Sequence, residues 1–301
     1  VPAARNKLTA IHYSAPRGGV LVNVPANVEG DEPVQLTRSY SGANALATPH
    51  TLIVTGANSR ITVIDDYRSS DDDIVALPAV EIVPGPGAIV RYFALHRWGK
   101  QTRVFAEQRT LADAPDSGIV SFQLAVGGSI VKSHIESSLV GRGSSSALFG
   151  LVLGNARQHV DFFTTQDHIG PDTRSDLMFK AALYDRSRSV YYGMTRVGIG
   201  AVNADANQEN RNLLLSNKAK ADSDPVLEIL TSNIIRASHG ATAGPVDEEQ
   251  LFYLQARGLP HREAEALLVR GFLGEVLARV DDEGIRDELS SIVEAQLEAT
   301  E

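Results

Sequence analysis

The sequence predicts an all-β core, a parallel β-helix over residues 1–244, followed by a C-terminal α-helical domain over residues 245–301. Three observations carry this. Short runs alternate between apolar and polar residues, as in Arg60-Ile61-Thr62-Val63-Ile64-Asp65 and Gly118-Ile119-Val120-Ser121-Phe122-Gln123-Leu124, and period two is the signature of strands. A turn unit recurs along the chain. Near Gly244 the apolar spacing changes from two to three and four.

The recurring unit is a turn with Gly, Asn or Asp, then a small residue, then alternating apolar positions. It occurs at Gly56-Ala57-Asn58-Ser59-Arg60-Ile61, Gly85-Pro86-Gly87-Ala88-Ile89-Val90, Asp116-Ser117-Gly118-Ile119, Gly141-Arg142-Gly143-Ser144, Asp185-Arg186-Ser187-Arg188 and Asn217-Lys218-Ala219-Lys220. The spacings fall near 25 to 32 residues with one longer gap. A solenoid needs such repetition, because each coil buries its apolar face only against its neighbours. A β-sandwich would also give short strands and turns, but the repeated unit favours the β-helix. No stretch of residues 1–244 carries a long helical stripe.

Beyond Gly244 the chain reads as three helices. Asp247 is a helix N-cap, with acids in the first turn and Gln250 three residues on. That helix runs to about Gly258, and Pro260 stops it. The second spans about His261 to Val280, with Leu268, Val269, Phe272, Leu273, Val276, Leu277 and Val280 on one side. The third runs from about Glu283 to Glu298, with Ile285, Leu289, Ile292, Val293 and Leu297 aligned. Such helices would close the open end of the solenoid.

Composition narrows the function. Of 301 residues 43% are hydrophobic, enough for a sizeable core, and the formal net charge is −9. No cluster of Lys and Arg runs along the sequence, which argues against nucleic acid as partner. No stretch of about 20 apolar residues is present, so no membrane span is read. The chain has no cysteine, which removes disulfides, thiolate metal sites and cysteine nucleophiles and fits a cytoplasmic protein. It begins Val1-Pro2-Ala3 without methionine, and no targeting segment is judged from it.

No catalytic motif stands out. The one Gly-Lys pair, Gly99-Lys100, is followed by Gln101, so there is no phosphate-binding loop. No nucleophile elbow or H-E-x-x-H helix occurs. Asp71-Asp72-Asp73 reads as a solvated loop. His159, Asp161, Asp167 and His168 are possible metal-ligand types, but alternation puts His159 and Asp161 on one strand face, where a structural polar ladder is the favoured reading. His239, in Ser238-His239-Gly240-Ala241-Thr242, reads from composition alone as a hydrogen-bonded turn residue at the seam with the helices.

The run Ser238-His239-Gly240-Ala241-Thr242-Ala243-Gly244, with Asp247-Glu248-Glu249-Gln250-Leu251-Phe252-Tyr253-Leu254 and Arg257-Gly258, resembles the C-terminal signature of the SufB/SufD family of the SUF iron–sulfur cluster assembly system. Asn212-Leu213-Leu214-Leu215-Ser216, Pro225-Val226-Leu227-Glu228-Ile229, Gln158-His159-Val160-Asp161, His168, Pro171, Ser175 and Phe179-Lys180 fit the same family in order. The absent cysteines and His239-Gly240-Ala241-Thr242 resemble the D subunit; Ala237 stands where many D subunits have Cys. The family usually has a helical region before the solenoid, which this sequence lacks, so it reads as a fragment or a short form.

The resemblance implies a right-handed parallel β-helix and a scaffold rather than an enzyme. It implies pairing with a SufB-like subunit through the solenoid and docking of a SufC-like ABC ATPase on the C-terminal helices, through Phe252, Leu268, Phe272 and Leu273. It places His239 at the cluster-building interface as a weak metal ligand shared with the partner. No cofactor would be tightly bound, and an iron–sulfur cluster or iron would be transient on the assembled complex. The alternatives are a carbohydrate-active β-helix enzyme, disfavoured by 6% aromatic residues and a single Trp98, and a SufB-like or homodimeric scaffold.

Overall fold

The computed structural model describes residues 1–300. After helix α1 (Lys7–Ser14) come strands β1 (Gly19–Val24), β2 (Val34–Tyr40), β3 (Ala45–Ala47), β4 (His50–Thr55), β5 (Arg60–Ser69), β6 (Ile74–Ala76), β7 (Ala79–Val83), β8 (Ile89–Arg97), β9 (Arg103–Ala112), β10 (Gly118–Ala125), β11 (Ile130–Leu139), β12 (Ser145–Gly154), β13 (His159–His168), β14 (Arg174–Leu183), β15 (Arg188–Val197), β16 (Ala204–Leu214), β17 (Lys220–Ile229) and β18 (Ile234–Gly244). Helices α2 (Glu248–Ala256), α3 (His261–Leu277) and α4 (Glu283–Thr300) follow. One sheet runs β1-β4-β7-β9-β11-β13-β15-β17, with β3 and β6 beside it; the other runs β2-β5-β8-β10-β12-β14-β16-β18. Every pairing is parallel, and each strand pairs with its equivalent one coil on: Ile89 with Gly118, Gly118 with Ser145, Arg188 with Lys220. This is the parallel β-solenoid that the repeat predicts.

The turn unit has a physical basis. At the corner leading into the second sheet, Asn58, Gly87, Asp116, Gly143, Asp172 and Asn203 all have positive φ, the region that Gly, Asn and Asp tolerate. Their amides bond to the next coil, as from Asp116 to the Arg142 carbonyl at 2.9 Å. The following small residues, Ser59, Ala88, Ser117, Ser144, Thr173 and Ala204, are fully buried. Two further copies belong to this corner: Asp172 falls in the long gap of the sequence pattern, and Asn203 lies between the units at Asp185 and Asn217. The units at Asp185 and Asn217 lie instead at the corner before β15 and β17.

The two sheets enclose one apolar core containing Ile53, Val63, Val104, Val131, Phe162 and Tyr191. The C-terminal helices do not close the solenoid end as expected. Val269, Leu273, Val276, Leu289, Val293 and Leu297 pack in one cluster with Phe93, Phe122, Leu151 and Met178 on the outer face of the second sheet. The reason lies in that face, where β8, β12 and β14 are buried on both sides, as strands under helices are. The one helix unforeseen in the sequence, α1, is eight residues long; Asn6 and Thr9 form its capping box, and it is too short to show a stripe.

Candidate functional site

With the helices on its flank, the solenoid ends bare. β17 and β18 are the last strands of their sheets, and no strand lies on their outer side among the described residues. Pro225, with no N–H to give, sits in β17, as suits an edge strand. Ile229, Leu230 and Ile235 are 42%, 45% and 64% exposed there. An uncovered edge carrying apolar side chains is a template for another chain.

His239 lies on β18 opposite Gln208, and Gln208 lies opposite Leu177 on β14. Leu177 and Gln208 point into the solenoid and are buried, so His239 is the last rung of an interior column. It is exposed because no coil stacks on it. Beneath it the interior is polar and hydrogen-bonded, with Asn212 Oδ1 left without a partner. Gln208 accepts from Thr195 Oγ1 at 2.9 Å and donates to the Gly193 carbonyl at 3.0 Å, while Ser223 Oγ and Asn212 Nδ2 donate to Asn210 Oδ1 at 2.6 and 2.7 Å. The His239 side chain has no hydrogen-bond partner among the described residues, and the residue lies in a strand, so it is not the bonded turn residue that composition suggests. Its neighbour Ser238 donates to Asn207 Oδ1 at 2.8 Å, Asn207 Nδ2 donates to Asp176 at 3.0 Å, and Arg279 after helix α3 donates to the same carboxylate at 3.0 Å. Strand β18 is thereby tied across two coils to the helices. No group of three or more His, Cys, Asp or Glu suited to hold a metal exists among the described residues. A lone imidazole is a single borderline nitrogen donor, and a stable metal site needs several ligands with a supporting shell.

The family model described as "SUF system FeS cluster assembly, SufBD core domain" matches residues 38–272. The iron–sulfur cluster assembly protein SufD of Bacillus subtilis (strain 168) is 31% identical over 300 residues, covering 99% of this chain and 68% of the relative. An iron–sulfur cluster assembly SufBD family protein of Mycobacterium tuberculosis (strain ATCC 25618 / H37Rv) is 31% identical over 314 residues, covering 98% and 75%. The chain belongs to the SufB/SufD family. Within the family it is more like SufD, as its lack of cysteine also indicates.

The helical surface of this SufBD protein differs from the expectation in one respect. Leu273 is fully buried against the second sheet and offers nothing to a partner. Leu268 and Phe272 are half-buried, and Phe272 packs against the sheet cluster. Phe252 remains at 72% exposure. It is joined by Tyr253 at 56% and Leu267 at 48%, which the sequence pattern did not single out. Helix α2 fully buries no residue; its Phe252 and Tyr253 face solvent, while Leu251 and Leu254 are half-buried.

Two of the other candidate ligands, His168 and Asp161, are held in structural contacts. His168 is buried, with Nδ1 2.9 Å from Thr173 Oγ1 and Nε2 2.8 Å from Ser175 Oγ, and burial lowers its pKa to about 4. Asp161 accepts from Lys132 Nζ at 2.6 Å one coil away. Trp98 is buried and stacked on Tyr40 and Tyr67, so it is no sugar platform. Missed in the sequence was the Ser238–Asn207–Asp176 ladder. Its signal is spacing alone: three small polar residues, each 31 from the next.

Proposed function

We propose that this chain is a SufD-like scaffold whose bare solenoid end pairs with a SufB-like subunit and whose His239 lends an imidazole to a cluster built at that seam. The observation that supports it most is the position of His239 at the uncovered mouth, flanked by exposed Ile229, Leu230 and Ile235. With no cysteine of its own, the chain draws thiolate ligands from the partner, and the cluster is cargo. The exposed Phe252, Tyr253 and Leu267 serve as the dock for a SufC-like ABC ATPase, where helical faces meet apolar grooves. ATP chemistry belongs to that partner, and the proposed setting is the cytoplasm. The edge that takes SufB also accepts a second copy of this chain in isolation, since a self-complementary patch closes a dimer.

The test is His239→Ala in a complex reconstituted with SufB-like and SufC-like subunits, scored by iron content and visible absorbance. Complex formation is expected to survive and cluster build-up to fall. Normal cluster content in the variant would remove His239 from the site. Failure of the three chains to copurify would remove the scaffold reading itself.

A further inference from the structure

At the corner between the second sheet and the first, a groove of about 1380 Å³ runs along the solenoid, with the end of α4 as its far wall through Gln296 and Ala299. Lys100, Arg157, Arg186 and Lys218 line it and are exposed. Arg157, Arg186 and Lys218 are in register in the turns after β12, β14 and β16, and Lys100, in the turn after β8, lies one residue out of that register. The turn between, after β10, carries Gly127 and Gly128 and leaves a side-chain gap in the row. That gap is enforced, because a Cβ on Gly127 would sit 2.2 Å from the Trp98 carbonyl oxygen.

This row breaks a rule kept by many exposed cations on the solenoid. Lys132 pairs with Asp161, Arg103 with Asp73, Arg188 with Asp222 and Arg236 with Asp205, each partner one coil away. Lys100, Arg157, Arg186 and Lys218 have no ion pair among the described residues. The two carboxylates at the groove, Asp71 and Asp185, accept from the Lys100 amide at 2.7 Å and the Ala156 amide at 2.9 Å and form no ion pair with the four side chains. Arg97, also at the groove, is held by Asp66 at 3.3 Å. Arg157, Arg186 and Lys218 occupy consecutive coils, roughly 5 Å apart, where like charges repel. A cationic column that two carboxylates offset only in part, on a chain of net charge −9, is favourable under an anionic guest.

We infer that this groove docks an acidic, extended segment of a partner polypeptide, a surface distinct from the solenoid mouth and from the exposed side chains of α2. From Lys100 to Lys218 is four coils, roughly 19 Å, the length of about six extended residues. A segment with acids on alternate positions would set its carboxylates along the row and its backbone over the glycine gap. Nucleic acid fits less well. Its bases need exposed aromatic faces to stack on, and the one aromatic residue lining the groove, Trp98, is 3% exposed.

The experiment uses the full chain and a short fluorescein-labelled peptide of alternating Glu and Ser, followed by fluorescence anisotropy at low and physiological salt. Binding is expected, weakened by salt, and about tenfold or more weaker in the variant R157Q/R186Q/K218Q. The variant K132Q/R188Q, which removes paired cations outside the groove, should bind as the parent does. Circular dichroism and thermal unfolding of each variant separate lost docking from lost fold, and a second variant, K100Q/R157Q, provides an independent loss should the triple variant not fold. No peptide binding, or equal binding by folded groove variants, overturns the inference. A single-stranded oligonucleotide that binds more tightly than the peptide overturns it in favour of nucleic acid. The result is independent of the His239 experiment.

Discussion

Lys180 Nζ, on the outer face of β14, donates to Glu275 Oε2 at 2.6 Å and to the Phe272 carbonyl at 2.9 Å, and lies 4.5 Å from the centre of the Phe272 ring. Its side chain is fully buried, whereas Glu275 is more than half exposed. The ammonium thus fastens helix α3 to the sheet from beneath, at a point where its neighbours are apolar. A charge in that place is favourable only while every donor is used.

The first prediction follows from that asymmetry. Lys180→Ala removes the charge and leaves a cavity and an unfilled carbonyl, and a loss of about 3 kcal/mol is expected in urea unfolding. Lys180→Met keeps the volume and should lose less. Glu275→Gln, at an exposed position, should cost under about 1 kcal/mol. Equal losses for all three would show that the cation is not what fastens the helix.

Burial of histidine sets a pH dependence. Burial lowers the pKa of His96, His134 and His168 to about 4 each. His96 Nδ1 accepts from Trp98 Nε1 at 3.1 Å, which requires that nitrogen to be unprotonated. Unfolded histidine titrates near 6.5, so the unfolded chain binds protons first as the pH falls. The stabilisation is complete above about pH 6.5 and is lost progressively toward about pH 4. For His96, the most deeply buried, this amounts to roughly 3 kcal/mol. Urea midpoints measured between about pH 7 and pH 5 should drop, and a flat profile would contradict the neutral buried histidines.

Much of this architecture was legible in the sequence, for a plain reason. Solenoid coils repeat one local environment, so the alternation of Val63 and Val131 and the turn chemistry of Asn58 or Asp116 report the fold directly. The boundary near Gly244 shows because the period itself changes there. The docking of α3 and α4 was not legible. Apolar residues such as Leu273 and Val293 state that a helix face is buried but not against what, and the apolar runs of β8, β12 and β14 do not tell which element covers their outer face. The same limit explains Leu273: periodicity marks a face but does not distinguish core from dock. His239 was found through resemblance; its place as a terminal rung depends on where the coils stop. The cationic row is not legible as a cluster because its members are tens of residues apart and meet only through the coil repeat.

The turns predict opposite effects for two small substitutions. Gly127→Ala forces a Cβ to 2.2 Å from the Trp98 carbonyl oxygen and 2.7 Å from its amide nitrogen, a backbone clash that cannot be relieved by rotating a side chain. A loss of several kcal/mol is expected, with a changed emission of Trp98, the only tryptophan in the chain. Ala156 has φ 50°, strained for a residue with a Cβ. Ala156→Gly should stabilise by about 0.5–1 kcal/mol, the relief of strain exceeding the added unfolded-state entropy. An unperturbed Trp98 emission and stability in G127A would show that the turn tolerates the extra carbon.

The bare edge gives the last prediction. Ile235, on β18, is 64% exposed and contributes little to the fold of the isolated chain. A lysine there keeps the strand's own pairing to β16 but presents a charge to any strand approaching from outside, the means by which natural edges resist pairing. Ile235→Lys should therefore leave the unfolding midpoint within about 0.5 kcal/mol of the parent. Pairing with a SufB-like subunit, or with a second copy, should fall by tenfold or more in sedimentation or copurification, since about 1.4 kcal/mol suffices for that factor. The distinction from a general loss of stability is made by the helices: packing of α3 and α4 on the second sheet does not involve Ile235, so binding of a SufC-like ATPase should persist. Undiminished pairing in a folded I235K protein would place the partner interface away from the solenoid mouth, and His239 with it.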